Sequence, residues 1–405
     1  MAQNSYFSST NIVILIIILI IVAFTIYYLF RYTQNSIISG MEKFMEESGI
    51  KEGEDFIIKG DRKGLLLDIY NRGNLALGEA YMAGLWDTPD LNNFFKKIIS
   101  NNEHTKYEYG NGVMKKIMSP FIKSQTSALE MINNHYNLSN EFFESWLDPN
   151  MQYSCAYWNK PGMTLEEAQI AKMNLIGRKL KLKPGMTVLD IGCGFGLALH
   201  YLSKTFGIKG TGINLSTEHL KFARERCEKN NPNVRYIYGD FAEISKLNEK
   251  FDRILSVGFY EHVGHDRYAE FYKVMYDNLK DDGIALLHTI GSNNGNKSTD
   301  EWILKYIFSR GQIPSIENIS NHAQNNGFVF EDLQNFGVYY GLTLHAWHER
   351  FKKAMKCKTD KDYVFYRMFS YYLASCEAAF MARQLFLWQI VFTKQKHITV
   401  YTGER

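Results

Sequence analysis

Four stretches of this chain carry side chains able to do chemistry. "GFYEHVGHDRY" holds Glu261, His262 and His265, "LLHTIGS" holds His288, "MQYSCAYW" holds Cys155 beside Tyr153 and Ser154, and "LDIGCGFG" holds glycines 192, 194 and 196. Glycine lets a backbone approach a ligand closely and reach positive φ, and a helix that opens after such a loop offers free amides. A dinucleotide fingerprint would read G-x-G-x-x-G, with a carboxylate about 20 residues on for the ribose. At that place the chain reads "GINLST", with Asn214 and Ser216. A nucleoside cofactor of another kind is expected. His262 and His265 lie three apart with no cysteine partner, so no metal is expected. Cys155 is open at this level among nucleophile, metal ligand and pocket wall.

The elements that must position these groups emerge from the pattern after Lys183. Short Val/Ile/Leu runs, "MTVLDIGCGFG", "IKGTGINLS", "NVRYIYGDF", "FDRILSVG" and "GIALLHTIG", alternate with helical stretches ending near Phe206, Asn230 and Tyr276. This is an α/β pattern, a mostly parallel sheet with helices on both faces, whose ligands sit beyond the carboxyl ends of the strands. Asp190 to Gly196, Asn214, Asp240, Gly258 to Gly264, and His288 to Ser292 all fall at such ends. Before the sheet, Gln34 to about Asn134 reads as a small helical unit, with Asp87, Thr88 and Pro89 as a helix start. "SQTSALEMINNHYNLSNEFFESWLD" is a second helical stretch that leads into the Cys155 segment.

The chain has 405 residues, with 46 Lys plus Arg against 43 Asp plus Glu. That near balance gives no support for a nucleic-acid partner, whose binding face should be basic. Five scattered cysteines, none in a CxxC pair, argue against a disulfide framework and for a reducing compartment. Ile12 to Phe30 is 19 residues without a charge. At about 1.5 Å per residue such a helix approaches the roughly 30 Å hydrocarbon core of a bilayer. The missing basic n-region and A-x-A site favour an uncleaved anchor over a signal peptide. Tyr27, Tyr28 and Tyr32 suit an interfacial belt, and Arg31, Lys43, Lys51, Lys59, Arg62 and Lys63 all follow the span, so a single-pass membrane protein with its bulk on the cytosolic side is expected.

From about Asn74 to Lys394 the chain resembles the cyclopropane-fatty-acyl-phospholipid synthases and, more broadly, the mycolic acid cyclopropane synthase family. The segments that carry the resemblance are "GNLALGEAYMAGLWD", "HYNLSNEFFESWLDPNMQYSCAYW", "LKPGMTVLDIGCGFG", "YEHVGHDRY", "GIALLHTIGS", "NFGVYYGLTLHAW" and "FLWQIVFTK". It implies a Rossmann-like, S-adenosylmethionine-dependent (class I) methyltransferase fold that adds a methylene across the cis double bond of an unsaturated phospholipid acyl chain. It further implies a bicarbonate ion held by Cys155, Glu261, His288, Ile290 and Tyr340, which takes the proton from a carbocation so that the ring closes. Cys155 is then a pocket wall and anion contact. For S-adenosyl-L-methionine the resemblance implies Tyr153, Ser154, Gly192, Gly194, Asn214, His219, Asp240 and Phe241. Asn214 stands where threonine is usual and His219 where glutamine is usual, and the transmembrane span is an addition to the usual pattern.

By register alone Tyr339 competes with Tyr340. The aromatic run "FYRMFSYYLASCEAAFMARQLFLWQ" reads as serving two uses at once, core packing and an acyl-chain tunnel. The expected organisation is an anchor over 1–33, a helical accessory domain over 34–134 and a catalytic domain over 135–405, with a lipid bilayer and a phospholipid as partners and a homodimer implied by the resemblance. Two rival functions are carried. One is a related lipid C-methyltransferase with a methyl-branched or methylene product, or a sphingolipid acceptor. The other is a catalytically silent lipid-binding protein, which would have no need of a base-holding cluster.

Overall fold

The computed structural model describes residues 9–100, 138–293 and 299–405. Residues 124–137 of the second expected helical stretch and the 134/135 boundary lie outside them, and the rest of that stretch holds the short helix Asn140–Glu144. The chain divides into two compact units, Met1–Asp90 with Ser100–Glu130, and Leu91–Ile99 with Met131–Arg405.

The first unit begins with one unbroken helix, α1 (Ser9–Glu47), so no break marks the expected boundary at 33/34. Its apolar residues from Ile12 to Leu29 are mostly exposed, whereas Gln34, Ile37 and Met45 on the same helix are buried. Arg62 binds Glu42 at 2.7 Å and Glu52 at 2.7 Å, tying the end of α1 to the next stretch of chain. Helix α2 (Arg62–Arg72) starts on an Asp61 cap, and Arg72 bridges Asp68 at 2.6 Å and Glu79 of α3 (Asn74–Met82) at 2.6 Å. The unit also contains a short antiparallel pair, β1 (Ile57–Ile58) with β2 (Trp86–Asp87), where the sequence pattern suggests helices alone. Asp87 therefore does not start a helix. The next one, α4 (Leu91–Ser100), begins after Pro89 and for the most part belongs to the second unit.

In the second unit the strands are β3 (Thr187–Ile191), β4 (Lys209–Asn214), β5 (Val234–Tyr238), β6 (Phe251–Val257), β7 (Leu279–Gly291), β8 (Phe328–Asn335) and β9 (Phe386–Lys394). They form one seven-stranded sheet in the order β5, β4, β3, β6, β7, β9, β8. β5 to β7 in that order are parallel, and β9 runs antiparallel to both β7 and β8. From Leu387 to Lys394 every residue of β9 is buried, as a strand covered on both faces requires. One core layer gathers Leu189, Ile254, Leu287 and Ile390 with Tyr260 and Phe271, and the other gathers Val188, Leu286 and Val391 with Ile176 and Leu199.

Two helices of this unit hold the segments that carry the chemistry. The helix Leu165–Lys179 is fixed at its start by a reciprocal capping box between Thr164 and Glu167, and it carries Gln169 and Lys172 on its buried side. The helix Asp360–Met381, which carries the aromatic run as far as Met381 while the run's end from Phe386 to Gln389 lies on β9, buries Phe365, Phe369, Tyr371 and Tyr372. Phe369 packs edge-on against Phe142 at 5.3 Å and Trp146 at 5.5 Å, so that run builds core.

Candidate active site

The glycine loop leaves β3 and opens the helix Leu197–Phe206. Gly192 has φ 80°, and a Cβ there would meet the Phe259 ring at 2.4 Å; Gly194 has φ 53°, and a Cβ there would find nothing within 4 Å, so its surface is open. Both conformations suit glycine. Asn214, at the end of β4, fastens this loop. Its Nδ2 donates to the Gly194 carbonyl at 3.2 Å, and its Oδ1 accepts from the amides of Leu215 at 2.8 Å and Ser216 at 3.4 Å. The His219 ring lies 4.2 Å from that of Phe195, and burial lowers its pKa below the ordinary histidine value, which favours the neutral ring.

Asp240 follows β5 and caps the next turn through Ala242 at 3.0 Å. Both its oxygens are also held by Arg267, at 3.0 and 2.6 Å, and this guanidinium keeps the carboxyl below the usual range. The same guanidinium lies over the Phe241 ring at 4.2 Å. Sequence alone does not single out Arg267. It is brought to Asp240 from 27 residues away, with no spacing that announces it.

The segment around Cys155 is held by the helix Leu165–Lys179. The Gln169 amide donates to the Ser154 carbonyl at 2.9 Å, and Lys172 Nζ donates to Ser154 Oγ at 2.7 Å and Gln152 Oε1 at 2.9 Å. Ser154 faces Gly258 at the end of β6, where an added Cβ would meet its own at 3.8 Å. Tyr153 donates to the Tyr372 hydroxyl at 3.1 Å.

Cys155 is fully buried, its thiol donating to the Ala156 carbonyl at 3.3 Å. Burial pushes the thiol well above its ordinary pKa, so the thiolate a nucleophile or metal ligand needs is disfavoured. Glu261 is buried on the turn after β6. Its Oε1 accepts the Ile290 amide at 2.6 Å, while Oε2 is buried with no hydrogen-bond partner among the described residues. Burial pushes this carboxyl up to about 7. Ile290 thus enters the site through its backbone.

His288, two residues earlier on β7, is opposite Gln389 of β9, and Gln389 Nε2 lies 3.1 Å from its Nδ1. With the amide donating to Nδ1, the ring proton sits on Nε2, which is buried without a hydrogen-bond partner among the described residues. Burial holds the ring neutral.

Tyr340 packs 4.5 Å from Phe380, and its hydroxyl is pushed up by burial and by the nearby Cys155 and Glu261. Tyr339 instead turns toward Tyr157 at 5.7 Å and Phe336 at 5.8 Å. Register alone leaves these two equal, and packing separates them. His262 contacts Phe308 and His265 contacts Tyr268, so the two do not share a partner.

These groups form two sets. The glycine loop, Asn214 and Asp240 occupy the ends of β3, β4 and β5, a row suited to an extended nucleoside. Glu261 and His288 lie beyond β6 and on the neighbouring strand β7, and among the described residues the first offers an acceptor and the second a donor without a partner. A small hydrogen-bonding anion that can both give and accept a proton fits that donor set.

Residues 123–390 match the family described as mycolic acid cyclopropane synthetase. The chain is 42% identical over 330 residues to cyclopropane-fatty-acyl-phospholipid synthase of Escherichia coli strain K12, covering 80% of this chain and 85% of that one. Among solved structures, the cyclopropane synthase MmaA2 from Mycobacterium tuberculosis is 32% identical with a TM-score of 0.59, over 67% of this chain and 100% of that one. Mycolic acid cyclopropane synthase CmaA1 complexed with SAH and CTAB is 31% identical with a TM-score of 0.59, over 66% and 98%.

Proposed function

The chain belongs to the mycolic acid cyclopropane synthetase family, and from that premise we propose that it transfers a methylene group from S-adenosylmethionine to the cis double bond of an unsaturated phospholipid acyl chain. It is an S-adenosylmethionine-dependent methyltransferase of the cyclopropane synthase type. The observation that carries the reaction to particular residues is that two polar atoms, Glu261 Oε2 on the turn after β6 and His288 Nε2 on the neighbouring strand β7, are each buried with no hydrogen-bond partner among the described residues.

Bound S-adenosylmethionine supplies an electrophilic methyl group, and bound bicarbonate supplies a base. In the proposed assignment Tyr153, Ser154, Gly192, Gly194, Asn214, His219, Asp240 and Phe241 hold the first, and Cys155, Glu261, His288, Ile290 and Tyr340 the second. Glu261 accepts and His288 donates, which orients the anion before any proton moves. With that cofactor bound, the alkene π electrons would form the new C–C bond and the cofactor sulfur would keep the electron pair of the broken bond, so that the positive charge to be sheltered by these residues would lie on the lipid. Loss of one proton from the transferred carbon then closes the ring. The Tyr340 ring face can stabilise that charge, and the apolar walls exclude water that would trap it.

The substrate enters from a bilayer in this reading. Support comes from the exposed apolar stretch of α1, 36 residues of helix from Ile12 with a mean hydropathy of 3.2 in its most apolar window. The basic residues after the span support a catalytic unit on the cytosolic side. A homodimer is proposed from the family resemblance.

The test uses purified protein, vesicles of a cis-monounsaturated phospholipid and a cofactor whose methyl is fully deuterated. Methylene transfer puts a CD2 group on the chain with one deuteron lost. A product that keeps all the deuterons is methyl-branched and contradicts ring formation.

A further inference from the structure

Lys172 is 1% exposed, yet among the described residues it forms no ion pair. An ammonium buried without a carboxylate partner opposes folding, and a methionine of similar length would fill the same space without that cost. The two acceptors it holds are both on the Cys155 segment, Ser154 Oγ at 2.7 Å and Gln152 Oε1 at 2.9 Å. Its charge reaches Cys155, His288, Asp148 and Asp190. In contrast, the five residues proposed around the anion include no fixed cation, and Glu261 would repel an anion whenever it is ionised.

We infer that Lys172 is a positioning residue that fixes Ser154 toward the cofactor and supplies the positive charge that lets an anion settle among Cys155, Glu261 and His288. This rests on the proposed bicarbonate site. The lysine acts through the field it sets and through the segment it holds, and it need not touch the lipid. Its field also opposes protonation of His288, keeping the ring a neutral donor. Asp148 and Asp190 are charge neighbours that favour the ammonium, but among the described residues neither forms a direct ion pair with it, and the two oxygens of Asp148 accept the amides of Gln152 and Asn150, both at 2.9 Å.

The test measures initial rates of the full-length enzyme in carbonate-depleted buffer against added bicarbonate, with cofactor affinity measured in parallel by calorimetry. Lys172→Met should raise the bicarbonate concentration for half-maximal rate at least about tenfold, equivalent to about 1.4 kcal/mol. Lys172→Gln, which can still donate to Ser154 but carries no charge, should do the same and serves if the methionine variant does not fold. Ser154→Ala should weaken cofactor binding and leave the bicarbonate requirement in place. A wild type that responds to bicarbonate, with Lys172 variants that respond identically, overturns this inference alone. A wild type indifferent to bicarbonate overturns the anion site and this inference together.

Discussion

Gln389 and His288 face each other across the antiparallel pair of β9 and β7, with 3.1 Å between Gln389 Nε2 and His288 Nδ1. Both residues are fully buried, so no water competes for that nitrogen, and the amide decides which end of the imidazole carries the proton. Gln389→Leu removes that control while keeping the strand apolar. It should lower kcat about tenfold, the worth of one buried hydrogen bond, with little change in KM for cofactor. A loss confined to KM would assign Gln389 to binding instead.

Glu261 connects the proposed site to stability with a definite sign. In the unfolded chain its carboxyl ionises near 4.5, and in the folded protein near 7, so unfolding releases a proton between those values. Its contribution to stability is greatest below 4.5 and falls as pH rises to about 7, by roughly 3 kcal/mol at most for the full shift. Asp190, raised from 3.8 to about 7, loses stability over the same interval. Glu261→Gln keeps an acceptor for the Ile290 amide and lacks the charge. It should melt a few degrees above wild type at pH 8, with the gap closing toward pH 4.5, while methylene transfer is lost. Thermal melts of both proteins at the two pH values check this, and a variant that melts lower at pH 8 contradicts it.

Arg267 holds Asp240 with two hydrogen bonds and covers Phe241. The pair is partly exposed, so its effect should be modest. Arg267→Met should weaken S-adenosylmethionine binding about fivefold, with kcat at saturating cofactor unchanged. Isothermal titration and steady-state kinetics separate these quantities, and a fall in kcat alone would contradict the cofactor assignment.

The exposed apolar part of α1 ends before Gln34, where the same helix becomes buried in the first unit. Deleting residues 2–30 should therefore release the protein from membranes washed at high pH while leaving activity on detergent-dispersed lipid. Retention of the truncated protein in the membrane pellet would assign membrane attachment to another surface.

Much of this architecture is legible in sequence because the local signals agree. The Val/Ile/Leu runs, the glycine loop and the turn residues together mark β3 to β7 and put Asn214, Asp240, Glu261 and His288 at one edge. The antiparallel end is harder to read. "FVFEDLQN" in β8 alternates only weakly, and β9 is a mostly apolar run without alternation, a pattern shared by buried helices. Lys172, Arg267 and Gln389 escape a reading of the sequence for a different reason. Each works through a partner far along the chain, and a lysine in a helix or a glutamine in a strand gives no local sign that it is buried. Tyr340 is separable from Tyr339 only once Phe380 and Phe336 have places in the packing.

The most direct measurement is mass spectrometry of total phospholipids from a host rich in cis-monounsaturated chains, expressing wild type beside Glu261→Gln. The expected result is a gain of one CH2 per modified chain with wild type only, in a product that survives catalytic hydrogenation under conditions that reduce alkenes. A gain that hydrogenation saturates, or an equal gain with the Gln variant, would contradict ring formation at the site built around Glu261.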